Sequence, residues 1–276
     1  MSQSELYVVA TPLGNRGDIT LRAIECLKEV PWIFAEDTRE TLKLLEICGI
    51  SAGGKKVHSY ASHNLKRATE LAVEILAEGK NVALVTDRGT PAISDPGALL
   101  VEAARAGGFK VVPIPGVSAV TALACVSGLL PGEFAFVGFP PQQEKHFREL
   151  LDQIRAFKRP AVFYESPRRV RETVQALSQA FPQGRVFVGR EMTKVHEEYY
   201  WLDLAGADLA TLPEQGEYTL LVTPGESRSE ESWRAEVALR AATDKEWSKD
   251  VASRHGVTAR DIYNALQHLR HPPEEG

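Results

Sequence analysis

Short apolar runs alternate with segments of helical periodicity along the first 114 residues. Runs rich in Val, Ile, Leu and Phe predict strands, because such side chains fit a pleated and buried surface. They occupy residues 6–10, 32–35, 56–60, 82–86 and 110–114. Apolar residues spaced three or four apart predict helices between them, at residues 19–30, 40–48, 64–78 and 97–106. The alternation predicts a largely parallel sheet covered by helices.

The same alternation starts again after Pro115 and Gly116. Helices are predicted at residues 117–129, 145–156 and 167–180, and strands at 134–136, 161–164, 185–189, 196–202 and 219–223. Several of these strands follow one another without a helix, which indicates more antiparallel pairing. We therefore predict two α/β domains, at residues 1–115 and 116–225. A polar linker at 225–232 leads to a helical extension at 233–270.

The stretch from 111 to 132 carries no charged residue and is long enough to span a bilayer. Two prolines and a glycine interrupt it early, at Pro113, Pro115 and Gly116. A short strand, a turn and a buried helix with Ser118 as its cap explain the stretch better. The first residues also lack the basic and apolar segments of a signal peptide.

Composition is that of a globular protein, with 43% hydrophobic and 25% charged residues. The net charge of −5 excludes a wholly basic nucleic-acid binder, but it leaves room for a local basic face. Cys26, Cys48 and Cys125 form no CxxC pair and each lies in an apolar helical context. We expect buried, reduced thiols and a cytoplasmic protein.

Two loops that follow predicted strands are rich in turn residues: TPLGNRGD at 11–18 and DRGTPAISDPG at 87–97. Ligands of open α/β sheets bind outside the carboxyl ends of strands, where glycines let the backbone approach closely. Neither loop matches the dinucleotide motif GxGxxG or the phosphate-binding motif GxxxxGK[ST]. The loops are either ordinary turns or a cradle for another kind of ligand.

Seven ordered motifs carry a resemblance to a known family. They are TPLGNRGDITLRA, AEDTR, SDPG, PGVSA, GFPP, FYESPRR and GREMTK. The chain resembles the bacterial 16S rRNA (cytidine-2′-O)-methyltransferases of the tetrapyrrole-methylase superfamily over about residues 5–225. The resemblance implies two α/β domains with S-adenosylmethionine in the cleft between them, usually in a homodimer. The implied substrate is a cytidine ribose in 16S rRNA, free or within the small ribosomal subunit.

The resemblance also implies a set of cofactor-binding residues, with the 87–97 loop holding the methionine part through backbone groups. They are Leu13, Gly14, Asp87, Gly89, Thr90, Ile93, Ser94, Ser118, Ala119, Phe139, Met192, Tyr218 and Thr219. Phe139, Met192 and the last two would enclose the adenine side. One position departs from the family, which usually has a small residue where this chain has Arg88.

Transfer to a 2′-hydroxyl requires orientation of the hydroxyl and removal of its proton. Candidate groups cluster in AEDTR, FYESPRR and GREMTK, each of which follows an apolar run. The same residues would also suit a network of ion pairs between strands and helices. We name Glu36, Asp37, Arg39 and Lys194 as the set that orients the hydroxyl or handles its proton.

An acidic protein that binds RNA needs cations at its cleft. The segment from 155 to 171 supplies six, at Arg155, Lys158, Arg159, Arg168, Arg169 and Arg171. Arg16, Arg39 and Arg67 could extend the rim. This basic segment is either the rim of the cleft or a solvated helix face. The predicted substrate-binding residues are Arg16, Glu165, Arg168, Arg169 and Arg190.

The histidines predict no metal site, because none has partners at ligand spacing. In the tail, Ala252, Gly256 and Ile262 have the spacing of a helix-turn-helix, which a plain helical hairpin would also show. Two other functions fit parts of the sequence. One is methylation of a tetrapyrrole by the same fold and cofactor, and the other is a DNA-binding regulator whose activity lies in the tail.

Overall fold

The computed structural model describes residues 4–129 and 132–225, together with Thr258 and Arg260. The described residues up to Gly225 belong to one compact unit. The predicted helix-turn-helix positions Ala252, Gly256 and Ile262 lie outside the described residues. The boundary at residue 115 between two separately folding domains stays a prediction.

The first half forms a five-stranded parallel sheet, as the alternation of strands and helices predicts. Its strands are β1 (Glu5–Val9), β2 (Trp32–Ala35), β3 (Lys56–Ser59), β4 (Val82–Val85) and β5 (Lys110–Ile114). Their order is β3-β2-β4-β1-β5, and every neighbouring pair is parallel. The central strand β4 is buried along its whole length, because helices cover both faces of a parallel sheet. The carboxyl ends of all five strands therefore meet at one edge.

Four helices cover the two faces of this sheet. They are α1 (Leu21–Glu29), α2 (Thr38–Ile47), α3 (Leu65–Ala77) and α4 (Ala98–Ala106). Leu27 of α1 and Leu45 of α2 pack in one apolar core, and Ile75 of α3 and Leu100 of α4 pack in the other. Thr20 caps α1 by accepting a hydrogen bond from the amide of Ala23.

The second half forms a mixed sheet, which confirms the prediction of antiparallel pairing. Its strands are β6 (Ala135–Phe136), β7 (Ala161–Glu165), β8 (Arg185–Arg190), β9 (Glu198–Asp203) and β10 (Tyr218–Thr223). Their order is β6-β7-β10-β8-β9, and the β6–β7 pair is the parallel one. Helices α6 (Glu144–Phe157) and α7 (Val170–Ala180) pack in one core, and α5 (Ala119–Val126) packs in another.

Two details of the predicted buried helix at 117–129 are wrong. The helix is the shorter α5, and Ser118 at its N-cap makes no side-chain capping bond. The Ser118 hydroxyl instead interacts with the phenol of Tyr164. Burial of Val120, Leu123 and Ala124 turns the next residues toward solvent, so the thiol of Cys125 is exposed. Within the described part of the chain, no helix combines the length and apolar composition needed to cross a membrane.

Candidate functional site

A cavity of about 560 Å³ lies where the loops after β1, β2 and β4 meet residues of the second half. Small-molecule sites of α/β proteins occupy this edge, and their volumes run from roughly 300 to 1,000 Å³. The predicted site residues that line it are Leu13, Glu36, Asp87, Gly89, Thr90, Ile93, Ser118, Ala119, Phe139, Glu165, Tyr218 and Thr219. Both halves of the described chain therefore contribute to one cavity.

The two turn-rich loops are tied to each other beside the cavity. The amide of Thr11 donates to the carbonyl of Gly89 over 2.8 Å, and the amide of Gly89 donates back over 3.0 Å. Gly89 has a φ of +81°, a conformation that favours glycine. The hydroxyl of Thr90 then donates to the carbonyl of Val117, at 3.1 Å, just before α5. The 87–97 loop is thus anchored to the loop that follows β1 and to the residues just before α5.

The 87–97 loop stores backbone strain at two residues with side chains. Ala92 and Ser94 both adopt left-handed conformations, with φ values of 66° and 64°. Each such residue costs about 1–3 kcal/mol, and residues of this kind cluster where a ligand is held. Ser94 itself does not line the cavity and instead faces Gly138, where an added Cβ would lie 3.0 Å from its hydroxyl. Ser94 would therefore contribute to the predicted cofactor site by shaping the loop and not by touching the ligand.

Carboxyl groups form one wall of the cavity. The hydroxyl oxygen of Thr86 lies 2.7 Å from Oε2 of Glu36 and 2.9 Å from Oδ2 of Asp95. Burial raises the pKa of Asp95 to about 6, and the charges of Glu36 and Asp87 add to this shift. Burial also raises the pKa of Asp87, although a backbone hydrogen bond from Asp37 opposes the shift. The wall is acidic, and one of its carboxyls titrates near neutral pH.

Apolar side chains form another part of the lining. Phe139 is 59% exposed and Ile93 is 44% exposed, so both present apolar surface to the cavity. The ring of Phe139 packs against that of Tyr164, with their centroids 5.5 Å apart. Flat heteroaromatic rings bind well to such surfaces. Met192 was predicted to enclose the adenine side of the cofactor. It does not line the cavity and is instead buried in the core beneath α5.

A cluster of ion pairs beside the cavity joins the two halves through its Arg88–Glu217 pair. Arg88 of the 87–97 loop pairs with Glu217, and both residues line the cavity. Glu217 also pairs with Lys194 at 3.0 Å, and Lys194 pairs with Glu191 at 2.8 Å. Gly14 lies against this cluster, since an added Cβ would come within 2.3 Å of the Lys194 side chain. Gly14 therefore permits a close approach between the halves, and neither it nor Lys194 lines the cavity.

The structure separates the four residues predicted to orient the hydroxyl or handle its proton. Glu36 lines the cavity, whereas Asp37 and Arg39 begin α2 outside it and pair with each other at 2.7 Å. Hydrogen bonds from Arg39 lower the pKa of Asp37 to about 2. A carboxylate with so low a pKa is a weak base.

Three of the predicted substrate-binding residues serve contacts within the protein. Glu165 is buried and accepts hydrogen bonds from the amide of Ser166 at 2.8 Å and the hydroxyl of Thr173 at 2.6 Å. Arg169 donates to the carbonyls at 140 and 141. Arg190 donates to the carbonyl at 215 and pairs with a carboxylate of β9. These contacts position the loops around the cavity.

The other two predicted substrate-binding residues, Arg16 and Arg168, are exposed, and their side chains make no hydrogen bond or ion pair with any described residue. Arg168 directly follows Ser166 and Pro167, which line the cavity. Most of the remaining basic segment is neutralised by carboxylates, through the pairs Arg155–Asp152, Arg159–Glu133 and Arg171–Glu214. The free cations near the cavity are therefore fewer than the sequence suggests.

Sequence reasoning missed Thr86, Asp95 and Glu217 as residues of the site. Asp95 had a signal, because it lies inside the SDPG motif of the turn-rich loop. No sequence signal marked Thr86 or Glu217. Their partners are 9 to 129 positions away along the chain and come close only when the chain folds. The described residues contain no group of three or more His, Cys, Asp or Glu side chains placed to hold a metal ion.

Residues 5–208 match the family described as tetrapyrrole (corrin/porphyrin) methylases. The chain is 39% identical over 274 residues to ribosomal RNA small subunit methyltransferase I of Halalkalibacterium halodurans, covering 94% of this chain and 93% of that protein. It is 37% identical over 274 residues to the protein of the same name from Escherichia coli O157:H7, covering 95% and 94%. The solved structure of the methyltransferase CobJ shares the fold, with a TM-score of 0.62 and 19% identity over 81% of this chain and 95% of that one.

Proposed function

Because the chain belongs to the tetrapyrrole (corrin/porphyrin) methylase family, we propose that it methylates RNA with S-adenosylmethionine as the donor. The proposed acceptor is the 2′-hydroxyl of a cytidine ribose in the 16S rRNA of the small ribosomal subunit. The observation that carries the proposal is the cavity at the strand ends, built from the loops on which the family resemblance rests. Similarity along nearly the whole chain to ribosomal RNA small subunit methyltransferase I favours rRNA over a tetrapyrrole as substrate.

The lining of the cavity fits S-adenosylmethionine in size and chemistry. Its volume of about 560 Å³ suits a nucleoside joined to an amino acid. Phe139 and Ile93 offer an apolar surface to the adenine, and the carboxylate of Glu36 complements a positively charged sulfonium. When bound, the cofactor supplies a methyl group that is activated by the positive sulfur.

Glu36 is the one member of the predicted proton-handling set that lines the cavity. Its Oε2 atom is held by the hydroxyl of Thr86, so the carboxylate has a fixed orientation. A fixed carboxylate can orient a ribose hydroxyl and accept its proton during attack. We assign this role to Glu36, and we assign Asp37, Arg39 and Lys194 to holding the surrounding loops in place.

RNA binding would depend on exposed cations at the sheet edge that forms the cavity. Arg16 follows β1, Arg67 lies near the start of α3, and Arg168 follows β7. All three are exposed and free of ion pairs among the described residues. Such side chains can neutralise phosphates although the whole protein carries a net charge of −5. With rRNA as the substrate, we expect the protein to act in the cytoplasm.

A homodimer is part of the proposal, and an apolar face of the second half supports it. Trp201 and Tyr199 on the edge strand β9 are 50% and 42% exposed, and both rings contact Phe187. Val126 at the end of α5 is 54% exposed. Exposed apolar side chains next to an unpaired strand edge are typical of surfaces that associate.

Transfer of a labelled methyl group from S-adenosylmethionine tests the proposal directly. Purified protein would be incubated with small ribosomal subunits, free 16S rRNA and a precorrin, and the product nucleotide would be mapped by its resistance to alkaline cleavage. We expect label in one cytidine ribose of the rRNA. Glu36→Gln should lower the rate of methyl transfer by about 10²-fold or more. Glu46→Gln, at an exposed position near the end of α2, should leave this rate unchanged. Label in the precorrin alone, or in a base rather than a ribose, would overturn the proposal.

A further inference from the structure

The hydroxyl of Thr86 has two carboxyl neighbours and one hydrogen to donate. Its oxygen lies 2.7 Å from Glu36 and 2.9 Å from Asp95, and both distances are those of hydrogen bonds. A hydroxyl donates once, and an ionised carboxylate donates nothing. Both contacts are satisfied at once when one of the two carboxyl groups carries a proton and donates it to the Thr86 oxygen. The geometry of this wall therefore accommodates one proton.

Asp95 is better placed than Glu36 to hold this proton. Oε2 of Glu36 has a second donor in the amide of Asp87, at 3.5 Å, whereas Asp95 has Thr86 alone among the described residues. The groups that face Asp95 are Glu36, Asp87 and the phenol of Tyr164, and none of them is a cation. The nearby guanidinium groups are occupied, since Arg39 pairs with Asp37 and Arg88 with Glu217. Burial and the charges of Glu36 and Asp87 raise the pKa of Asp95 to about 6, although a hydrogen bond from Thr86 to the ionised carboxylate opposes the shift.

We propose that Asp95 discriminates the methyl donor from the product by charge, giving up its proton when the sulfonium enters and keeping it beside the neutral thioether. The inference rests on the proposed function, because it requires S-adenosylmethionine in this cavity. The O–H bond of Asp95 breaks, its electron pair stays on the carboxylate, and the proton passes to solvent. The new carboxylate then balances the positive sulfur. S-adenosylhomocysteine carries no such charge, so it leaves the protonation of Asp95 unchanged.

Two consequences follow for binding. Below pH 6, affinity for S-adenosylmethionine should fall by up to about tenfold for each pH unit, because the proton must be removed before the donor binds. Affinity for S-adenosylhomocysteine should change little over the same range. The preference for donor over product should therefore grow as pH rises through 6, which limits product inhibition at neutral pH.

Calorimetry of both ligands with the full-length protein at pH 6.0 tests the inference. Each titration would be run in two buffers of different ionisation enthalpy, so that the number of protons released is measured. We expect the donor to release about 0.5 proton and S-adenosylhomocysteine none, because Asp95 is close to half protonated at this pH. Asp95→Asn should abolish the release, and the amide can still donate to Thr86. Asp152→Asn, on the exposed face of α6, should leave it unchanged.

The outcomes separate the two proposals. Equal proton release for both ligands in the wild-type protein, or none for either, would overturn the role of Asp95 and leave the proposed function in place. Release that survives in a folded Asp95→Asn variant would assign the proton to another group and overturn it as well. Failure of the wild-type protein to bind either ligand would overturn the proposed function and this inference with it.

Discussion

At the level of single residues, burial and hydrogen bonding together decide whether a carboxyl group is protonated near neutral pH. Asp37 and Asp95 both lie at the strand edge that forms the cavity, yet hydrogen bonds from Arg39 lower one pKa to about 2 and burial raises the other to about 6. The difference arises from solvent access and from the nearest partner. It has a direct consequence for stability as well as for binding.

Asp95→Asn should raise the melting temperature at pH 8 by about 2 °C and change it little at pH 4. The folded pKa of about 6 lies above the ordinary value of Asp, so the native state holds the proton more tightly. That contribution is present at low pH and is lost as pH rises from about 4 to 6. Asparagine removes the charge that burial disfavours. Thermal melting at both pH values checks this, with Asp152→Asn as control; equal shifts at pH 4 and pH 8 would contradict it.

Glu165 shows how a residue predicted to bind substrate can serve the fold. Its carboxylate accepts hydrogen bonds from Ser166 and Thr173 and lies 3.6 Å from Arg169, so it joins the end of β7 to α7. Glu165→Ala should lower the free energy of unfolding by about 2–3 kcal/mol, because three donors lose their acceptor. Glu165→Gln keeps one acceptor oxygen and should cost less. Urea denaturation measures both; a fully stable Glu165→Ala variant that lost RNA methylation alone would restore the substrate role.

At the scale of elements, backbone contacts at the ends of strands hold the second sheet together. The amide of Gly184 donates to the carbonyl of Phe181, and its own carbonyl accepts from the amide of Leu204. The Gly184 position also lies against the backbone of Thr223 at the end of β10. The turn from α7 into β8 is therefore fixed on three sides by other backbone segments.

Gly184→Ala should destabilise the protein by about 2 kcal/mol or more. An added Cβ would lie 2.4 Å from the carbonyl oxygen of Thr223 and 3.0 Å from that of Phe181, and neither backbone can move without breaking its own hydrogen bonds. Gly206→Ala is a matched control, because nothing lies within 4 Å of its added Cβ. Chemical denaturation of both variants decides the point. Equal stabilities would show that the turn can relax.

For the protein taken as a whole, the distribution of charge and apolar surface predicts which surfaces are available to bind RNA and a second subunit. The chain carries a net charge of −5, and many of its described arginines are paired with carboxylates. Free cations at the cavity edge, such as Arg16 and Arg168, are therefore the ones available to phosphates. The apolar side chains of β9 lie on a different strand from any that lines the cavity. Separate surfaces can thus serve RNA and a second subunit.

Arg168→Ala should weaken binding to rRNA without changing affinity for S-adenosylmethionine. Loss of one phosphate contact should reduce the slope of log affinity against log salt by about 0.7–1. Arg159→Ala is the control, because that side chain already pairs with Glu133 and should add little. RNA binding measured at several salt concentrations gives both slopes. An unchanged slope for Arg168→Ala would remove this residue from the RNA surface.

Trp201→Glu should convert the proposed homodimer into a monomer, because it places a charge in the middle of the apolar face of β9. Leu21→Glu replaces a more exposed apolar residue on α1, at 80% exposure, and should leave the dimer intact. Sedimentation velocity over a range of concentrations reads out the mass. A wild-type protein that sediments as a monomer would contradict the prediction, as would a dimer that survives Trp201→Glu.

Much of the fold could be predicted from the sequence, because the elements follow local rules. Strands β2 and β5 begin and end where their apolar runs do, and α4 ends at the predicted residue. The loops at 11–18 and 87–97 also stood out, since turns need Gly, Pro, Asp and Asn at particular positions. The ends of α5 were predicted less well, because an apolar run does not show where a buried helix stops.

The parallel and mixed sheets, the order of the elements and the loops that border the cavity could all be predicted from the chain's local patterns. These features depend on periodicity and turn chemistry, which act over a few residues. Which charged residues face the cavity, and which pair with each other, became visible in the folded chain. It placed Glu36, Thr86 and Asp95 in one wall, and it turned Glu165 and Arg190 to structural contacts. Such pairings join distant positions, and their energies depend on burial that no local pattern specifies.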